Sequence, residues 1–246
     1  TPYTLPGTAY DRRLLIFEKT LPAVTPKISE TREDTVITSA ANDHYKEWKS
    51  SLTGGGIRKT GHALVSGPKI ISEVIRLKPE IISAWIGFAS GDKSPEALSG
   101  HVPRYRLSRE LFHELDVHGT NHPLLVVNVP PMRPFDISAL PGGAVPFIAF
   151  QDPANVGAVI RSAAAFGARA IVLLKESANP FHPKSIRAAG TAVFLVDFME
   201  GPSIRNVECP GLPILALAAK GKDIAAVNFP KRFALLPGIE GPGLPG

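Results

Sequence analysis

From residue 145 to residue 238, short apolar runs, VPFIAF, AIVLL, AVFLV, PILALA and FALLPG, alternate with segments of helical spacing. A strand that is apolar at every position is buried on both faces, as in a parallel sheet covered by helices. The alternation therefore predicts an α/β fold for this half, with each run a strand. In such sheets ligands bind beyond the carboxyl ends of the strands, where loops expose backbone groups. Three loops fall there: QDPANVG, AAKGKD and PGIEGPGLPG. Gly238, Gly241 and Gly243 suit a close backbone approach to a ligand, and equally an ordinary turn.

The first half reads differently. Residues 1–35 mix proline, threonine and charges of both signs without a sustained period, as a leader or packed extension would. From Ile37, SAANDHYKEWKSSL predicts a helix capped by Ser39, with Ala41, Tyr45, Trp48 and Leu52 on one face. HALVS, KIISEVIRL, IISAWIGF, VPRYRL, SRELFHEL and LLVVNV then alternate strand and helix patterns. The proline- and glycine-rich PPMRPFDISALPGG reads as a linker. The expected organisation is a leader at 1–35, an amino-terminal α/β domain at 36–130, a linker at 131–144 and a parallel-sheet domain at 145–246.

Composition removes several function classes. Cys209 is the only cysteine, so an internal disulfide and an all-cysteine metal site are excluded. The seven histidines show no HExxH spacing, and no metal is expected. GxxxxGK[ST], a strand-to-helix GxGxxG and GxSxG are all missing, so a P-loop, a dinucleotide fingerprint and a serine nucleophile elbow find no support. No apolar run reaches the roughly 18 residues of a membrane span, and the start lacks a signal-peptide layout. A cytoplasmic protein is expected, with a targeting segment ahead of Thr1 left open. The net charge of +5 suits a polyanionic partner such as RNA, without a basic tail.

QDPANVGAVIRSAAAFGARAIVLL, residues 151–174, sets Arg161 among small side chains. Asp152 or Asn155 can cap the helix. With Gly157, Ala158, Ala164 and Ala165 one turn away, the guanidinium can lie against another helix, a phosphate or a ribose. Local pattern alone does not choose between a structural ion pair at a subunit interface and a chemical role. In the first half, Lys46, Arg58 and Lys59 flank Gly54, Gly55 and Gly56 and are candidates for RNA backbone contacts. The competing reading is a solvated helix face and a flexible loop.

DPANVGAVIRSAAAFGA at 152–168 resembles the first motif of the SpoU (TrmH-like) branch of the SPOUT RNA methyltransferases, and LLPGIEGPGLP at 235–245 resembles the second. ITSAANDHYKEWKSSLTGGGIRKTGHALVSGPKIISEVI is similar to the family's RNA-binding domain of ribosomal-protein-like fold. The resemblance implies methyl transfer from S-adenosylmethionine to a ribose 2′-hydroxyl of RNA, ribosomal RNA above transfer RNA, by a homodimer with a carboxyl-terminal trefoil knot. Carried over by motif, Asn155, Arg161 and Glu240 are the catalytic residues, and Leu217, Ala218, Gly238, Ile239 and Leu244 line the cofactor pocket. Ser66 stands where relatives carry glutamate, and the segment Thr120 to Pro123 departs from the family. The sequence ends at Gly246, ahead of the third family motif, and a further tail is expected in the native protein. The alternative is a relative that grips RNA without reacting.

Overall fold

The structure, a computed structural model, describes residues 34–88, 95, 97–218 and 221–238. Except for Asp34 and Thr35, the expected leader lies outside them, as do Ile239, Glu240, Gly241, Gly243 and Leu244. The described residues all fall in one compact unit.

The amino-terminal half contains, in order, β1 (Thr35–Ile37), α1 (Asp43–Ser50), α2 (Gly54–Thr60), β2 (His62–Val65), α3 (Pro68–Leu77), β3 (Ile82–Phe88), β4 (Arg104–Leu107), α4 (Arg109–Leu115) and β5 (Leu124–Asn128). These strands form a sheet in the order β1-β4-β3-β5-β2, parallel from β1 to β3 and antiparallel from β3 to β2. Alternate residues divide between its two faces. Leu64, Ile86, Leu124 and Val126 meet Tyr45, Trp48 and Phe112 of α1 and α4. Ala63, Val65, Trp85, Leu125 and Val127 join Ile71 and Val74 of α3 in a cluster that continues to Ile148, Val156 and Ile160 of the second half. Burial on both faces explains why LLVV is apolar at every position.

Two local expectations are corrected here. The cap of α1 is Asn42, whose Oδ1 accepts from Tyr45 N at 3.3 Å, while Ser39 Oγ accepts from Ala41 N. Three consecutive glycines, which suggest a flexible loop, instead begin α2. Thr53 caps it through Gly56 N at 3.0 Å. A Cβ at Gly56 would stand 1.8 Å from Ser50 O, so the glycine lets the start of α2 cross the end of α1.

The second half contains β6 (Arg133–Pro134), β7 (Gly143–Ile148), α5 (Pro153–Ala165), β8 (Ala170–Leu173), α6 (Pro183–Ala189), β9 (Asp197–Glu200), β10 (Ile214–Ala216) and β11 (Arg232–Leu236). Every pairing is parallel, in the order β10-β11-β7-β8-β9-β6. The parallel sheet expected from the apolar runs is present, and the segment 131–144 supplies its edge strand β6. One run departs: AVFLV is not a strand. Residues Gly190–Phe194 turn as a 3-10 helix that buries Val193 and Phe194, and the strand is the following DFME. A five-residue apolar run fits either conformation, and here Val193 and Phe194 are buried while Leu195 is left exposed. From β7 the chain builds outward through β8 and β9, then returns to the other side for β10 and β11. The order reverses between β7 and β11, and that is where such sheets open a crevice at their carboxyl ends.

Candidate functional site

The chain leaves the carboxyl end of β7 for the start of α5. Asp152 closes its amino end, Oδ1 accepting from Ala154 N at 2.8 Å, and Pro153 takes the position where a missing N–H costs nothing. Asp152 is thus the cap, leaving the Asn155 side chain without a hydrogen bond among the described residues. Val156, Gly157, Ile160 and Ala163 face inward, whereas Ala158, Arg161, Ser162 and Ala165 are exposed. Arg161 is therefore on the outer face, with no ion pair among the described residues.

The bareness around Arg161 has two separate causes. Gly157 belongs to the inner face, where a Cβ would meet Ser185 O at 2.3 Å and Ala188 Cβ at 2.7 Å, so its smallness serves the close crossing of α5 and α6. Ala158 and Ala165 alone leave the outer face open. Ser185, fully buried, braces the crossing by donating to Pro153 O at 2.8 Å and to Asn179 O at 3.1 Å. Asn179 in turn accepts from Phe181 N and donates from Nδ2 to Gly54 O at 3.3 Å. Nothing in the spacing of Ser185 or Asn179 marks them as supports, because their partners are distant in sequence.

His182 caps α6, its Nδ1 accepting from Lys184 N at 3.2 Å. Burial holds the imidazole below its ordinary pKa, aided by Lys184 and His118 and opposed by Asp152. Each of the first three effects disfavours a second positive charge.

The carboxyl ends of β10 and β11 line a separate cavity, to which neither Asn155 nor Arg161 contributes. Leu217 N donates to Leu236 O at 2.9 Å, and a Cβ at Gly238 would stand 3.3 Å from Leu217 O. Leu217 and Ala218 are thus drawn to Gly238, twenty residues on. This cavity, of about 830 Å³, is lined by Leu217, Ala218, Gly221, Ile224, Val227 and Phe229 among others. Its lining is mostly apolar, with Lys222 as its charged residue, a composition that suits a small organic ligand. Ile239, Glu240 and Leu244 lie outside the described residues.

The RNA candidates of the first half are dispersed. Lys46 extends from α1 and pairs with Asp43 at 3.1 Å on the surface, so its charge is partly answered. Arg58 and Lys59 lie in the last turn of α2 with no ion pair among the described residues. A neighbouring network joins Tyr45 and Lys49 to Glu114. It holds that carboxylate below its usual range, through Lys49 first, while burial first and Glu114 second raise the Tyr45 phenol well above its own. Among the described residues no group of His, Cys, Asp and Glu is arranged to hold a metal, and no helix is long and apolar enough to cross a membrane.

Residues 144–246 match the SpoU rRNA Methylase family. The whole chain is similar to "Ribosomal RNA small subunit methyltransferase G 2" of Syntrophobacter fumaroxidans, 44% identical over 252 residues and covering 99% of this chain but 49% of that protein. The chain therefore spans about half the length of this relative. A second relative is "23S rRNA (guanosine(2553)-2'-O)-methyltransferase RlmP" of Bacillus subtilis, 29% identical, covering 85% of this chain and 84% of the relative. Among solved structures, the fold matches the AdoMet-bound rRNA methyltransferase of Sinorhizobium meliloti with a TM-score of 0.67 at 20% identity, over 86% of this chain and 83% of that one.

Proposed function

From a carboxyl-terminal half, residues 144–246, that belongs to the SpoU rRNA methylase family, we propose that this chain methylates a ribose 2′-hydroxyl of ribosomal RNA with S-adenosylmethionine as donor. Support for ribosomal RNA comes from the names of both relatives, and support for the 2′-hydroxyl from the Bacillus protein. The name of the longer relative describes a protein of which half lies outside the match, so the Bacillus activity is the closer guide to the reaction.

The observation that carries the proposal is the setting of Arg161: exposed, free of any ion pair among the described residues, and on the same helix as Asn155 at the carboxyl end of β7. A guanidinium does not give up its proton at neutral pH, so its role is to hold phosphate or to stabilise the alkoxide developing on the ribose. Its planar fork of donors serves either. Asn155, on the first turn, supplies an amide that can orient the hydroxyl, and Glu240 organises the site in the same reading. Bound S-adenosylmethionine supplies an electrophilic methyl group. Leu217, Ala218, Gly238, Ile239 and Leu244 would hold it, and the close approach of Gly238 to Leu217 O, 3.3 Å from where a Cβ would stand, brings main chain from both strand ends together there. What remains is positioning, an in-line hydroxyl about 3 to 3.5 Å from the methyl carbon in a dry site, which removes several kcal/mol of barrier.

The same reading makes the active form a homodimer with a knotted carboxyl-terminal region. Ala158, Arg161, Ser162, Ala165 and Phe166 form one exposed stripe of α5, with Phe166 92% exposed. Small residues around an uncovered aromatic suit a second subunit approaching the arginine.

The test is transfer of a labelled methyl group to ribosomal RNA, followed by digestion to nucleosides. Wild-type protein is expected to yield 2′-O-methyl nucleosides. Arg161→Ala is expected to lose at least about 100-fold in turnover, with S-adenosylmethionine binding by calorimetry nearly unchanged. Near-normal turnover by this variant removes Arg161 from the chemistry. Wild-type protein that binds RNA but neither cofactor nor methyl would instead be an inactive relative.

A further inference from the structure

The geometry points to a second RNA-binding site, a ribonucleotide cleft between α2 and the carboxyl ends of β8 and β9, in which Arg58 and Lys175 take a backbone phosphate and Glu200 takes a sugar hydroxyl. This inference rests on the reading of RNA as substrate, and to the candidate Arg58 it adds Lys175 and Glu200, which none of the motifs includes. The cleft is a cavity of about 390 Å³ whose lining draws on both halves of the chain. Arg58 comes from the last turn of α2, Met132 from the segment between the two sheets, Lys175 from the loop after β8 and Glu200 from the end of β9.

Three observations make this a built site. Asn179, 6% exposed, pins its floor by donating from Nδ2 to Gly54 O, so α2 and the loop after β8 are held together. Gly54 has no room for a side chain there without pressing on Asn179, since a Cβ would lie 3.1 Å from Asn179 Cβ. The loop is also fixed to the main sheet, with Lys175 N donating to Pro202 O at 3.1 Å and Ala178 N to Phe150 O at 2.8 Å. The same loop reaches the start of α5, where Ser185 Oγ lies 2.8 Å from Pro153 O and 3.1 Å from Asn179 O.

The charges specify the ligand. Neither Arg58 nor Lys175 forms an ion pair among the described residues, although Glu200 lines the same cavity. The carboxylate next to Lys175 in sequence, Glu176, accepts instead from Ile204 N at 3.0 Å and from Ser203 Oγ. Two uncommitted cations favour a phosphodiester. A carboxylate beside them opposes a bare polyanion and accepts from a hydroxyl, and the 2′-hydroxyl is the donor that separates RNA from DNA.

The test uses the full chain, with in-vitro-transcribed ribosomal RNA and a DNA strand of the same sequence as probes, titrated across a salt series. Lys175→Ala and Arg58→Ala are each expected to weaken RNA binding about fivefold near 0.15 M salt, and to reduce the slope of log K against log salt by about 0.7–0.9. Lys175→Arg restores both. Glu200→Ala is expected to narrow the preference for RNA over DNA while leaving the salt slope in place. Lys231→Ala, at the opposite end of the sheet, serves as the control and binds as wild type. Unchanged affinity and slope in both Lys175→Ala and Arg58→Ala, with melting temperatures matching wild type, overturn the cleft. Wild-type protein showing no RNA binding overturns it as well. RNA binding lost as expected in these variants, from a wild type that transfers no methyl, leaves the cleft standing and removes the proposed reaction instead.

Discussion

Arg161 shows how much one residue's neighbours can mislead. In sequence its small neighbours form one group, but a helix divides them between two faces, and Gly157 turns inward to α6 while Ala158 and Ala165 stay outside. The residue types at the start of the motif were legible: Asp152 and Pro153 are what a helix start requires. The supports were not, because Ser185 and Asn179 act through partners brought close only by folding. His182 offers a test at this scale. Its folded pKa lies below the unfolded value, so the unfolded chain binds the proton more readily, and stability is full above about pH 6.5 and falls as the pH drops through and below that value. Protonation also removes the Nδ1 lone pair that accepts from Lys184 N. His182→Asn keeps a capping acceptor without a titrating group. The variant is expected to lose less melting temperature than wild type between pH 7 and pH 5. Parallel pH profiles for the two proteins would show that His182 contributes nothing to acid lability.

At the scale of elements, helices whose apolar spacing was continuous were readable, including α1, α3 and α4, and so were the strands apolar on both faces. The failures are short. AVFLV reads as a strand and turns as a 3-10 helix because a brief apolar run carries no period, and a flexible loop competes as the reading of the α2 glycines because their use depends on a neighbouring helix. That use yields two predictions of opposite sign on adjacent residues. Gly56→Ala must displace the Ser50 backbone and is expected to cost about 1–3 kcal/mol or more in denaturant unfolding. A methyl added at Gly55 would have nothing within 4 Å of it, so Gly55→Ala is expected to be neutral or to stabilise by up to about 0.5–1 kcal/mol. Equal effects at the two positions would sink this account of the α1–α2 crossing.

At the scale of the molecule, one core cluster passes from Trp85 and Leu125 through α3 to Val156 and Ile160, so the two sheets share buried surface. The outer face of α5 is the complementary case, an apolar residue left uncovered. In the proposed homodimer Phe166 lies at the subunit contact, and Phe166→Asp is expected to shift the protein from dimer to monomer in light scattering at micromolar concentration, and to reduce the proposed methyl transfer with it. A variant that stays dimeric places the subunit contact elsewhere. The sequence by itself determined the parallel sheet, the family motifs and the identity of the candidate residues Asn155 and Arg161, because periodicity and side-chain chemistry are local properties. Only the tertiary structure decided which face of α5 the arginine occupies, that Leu217 meets Gly238, and that Arg58 and Lys175 share one cleft. These are contacts between residues distant along the chain, and they exist only once strand order and helix crossings have been fixed by burial.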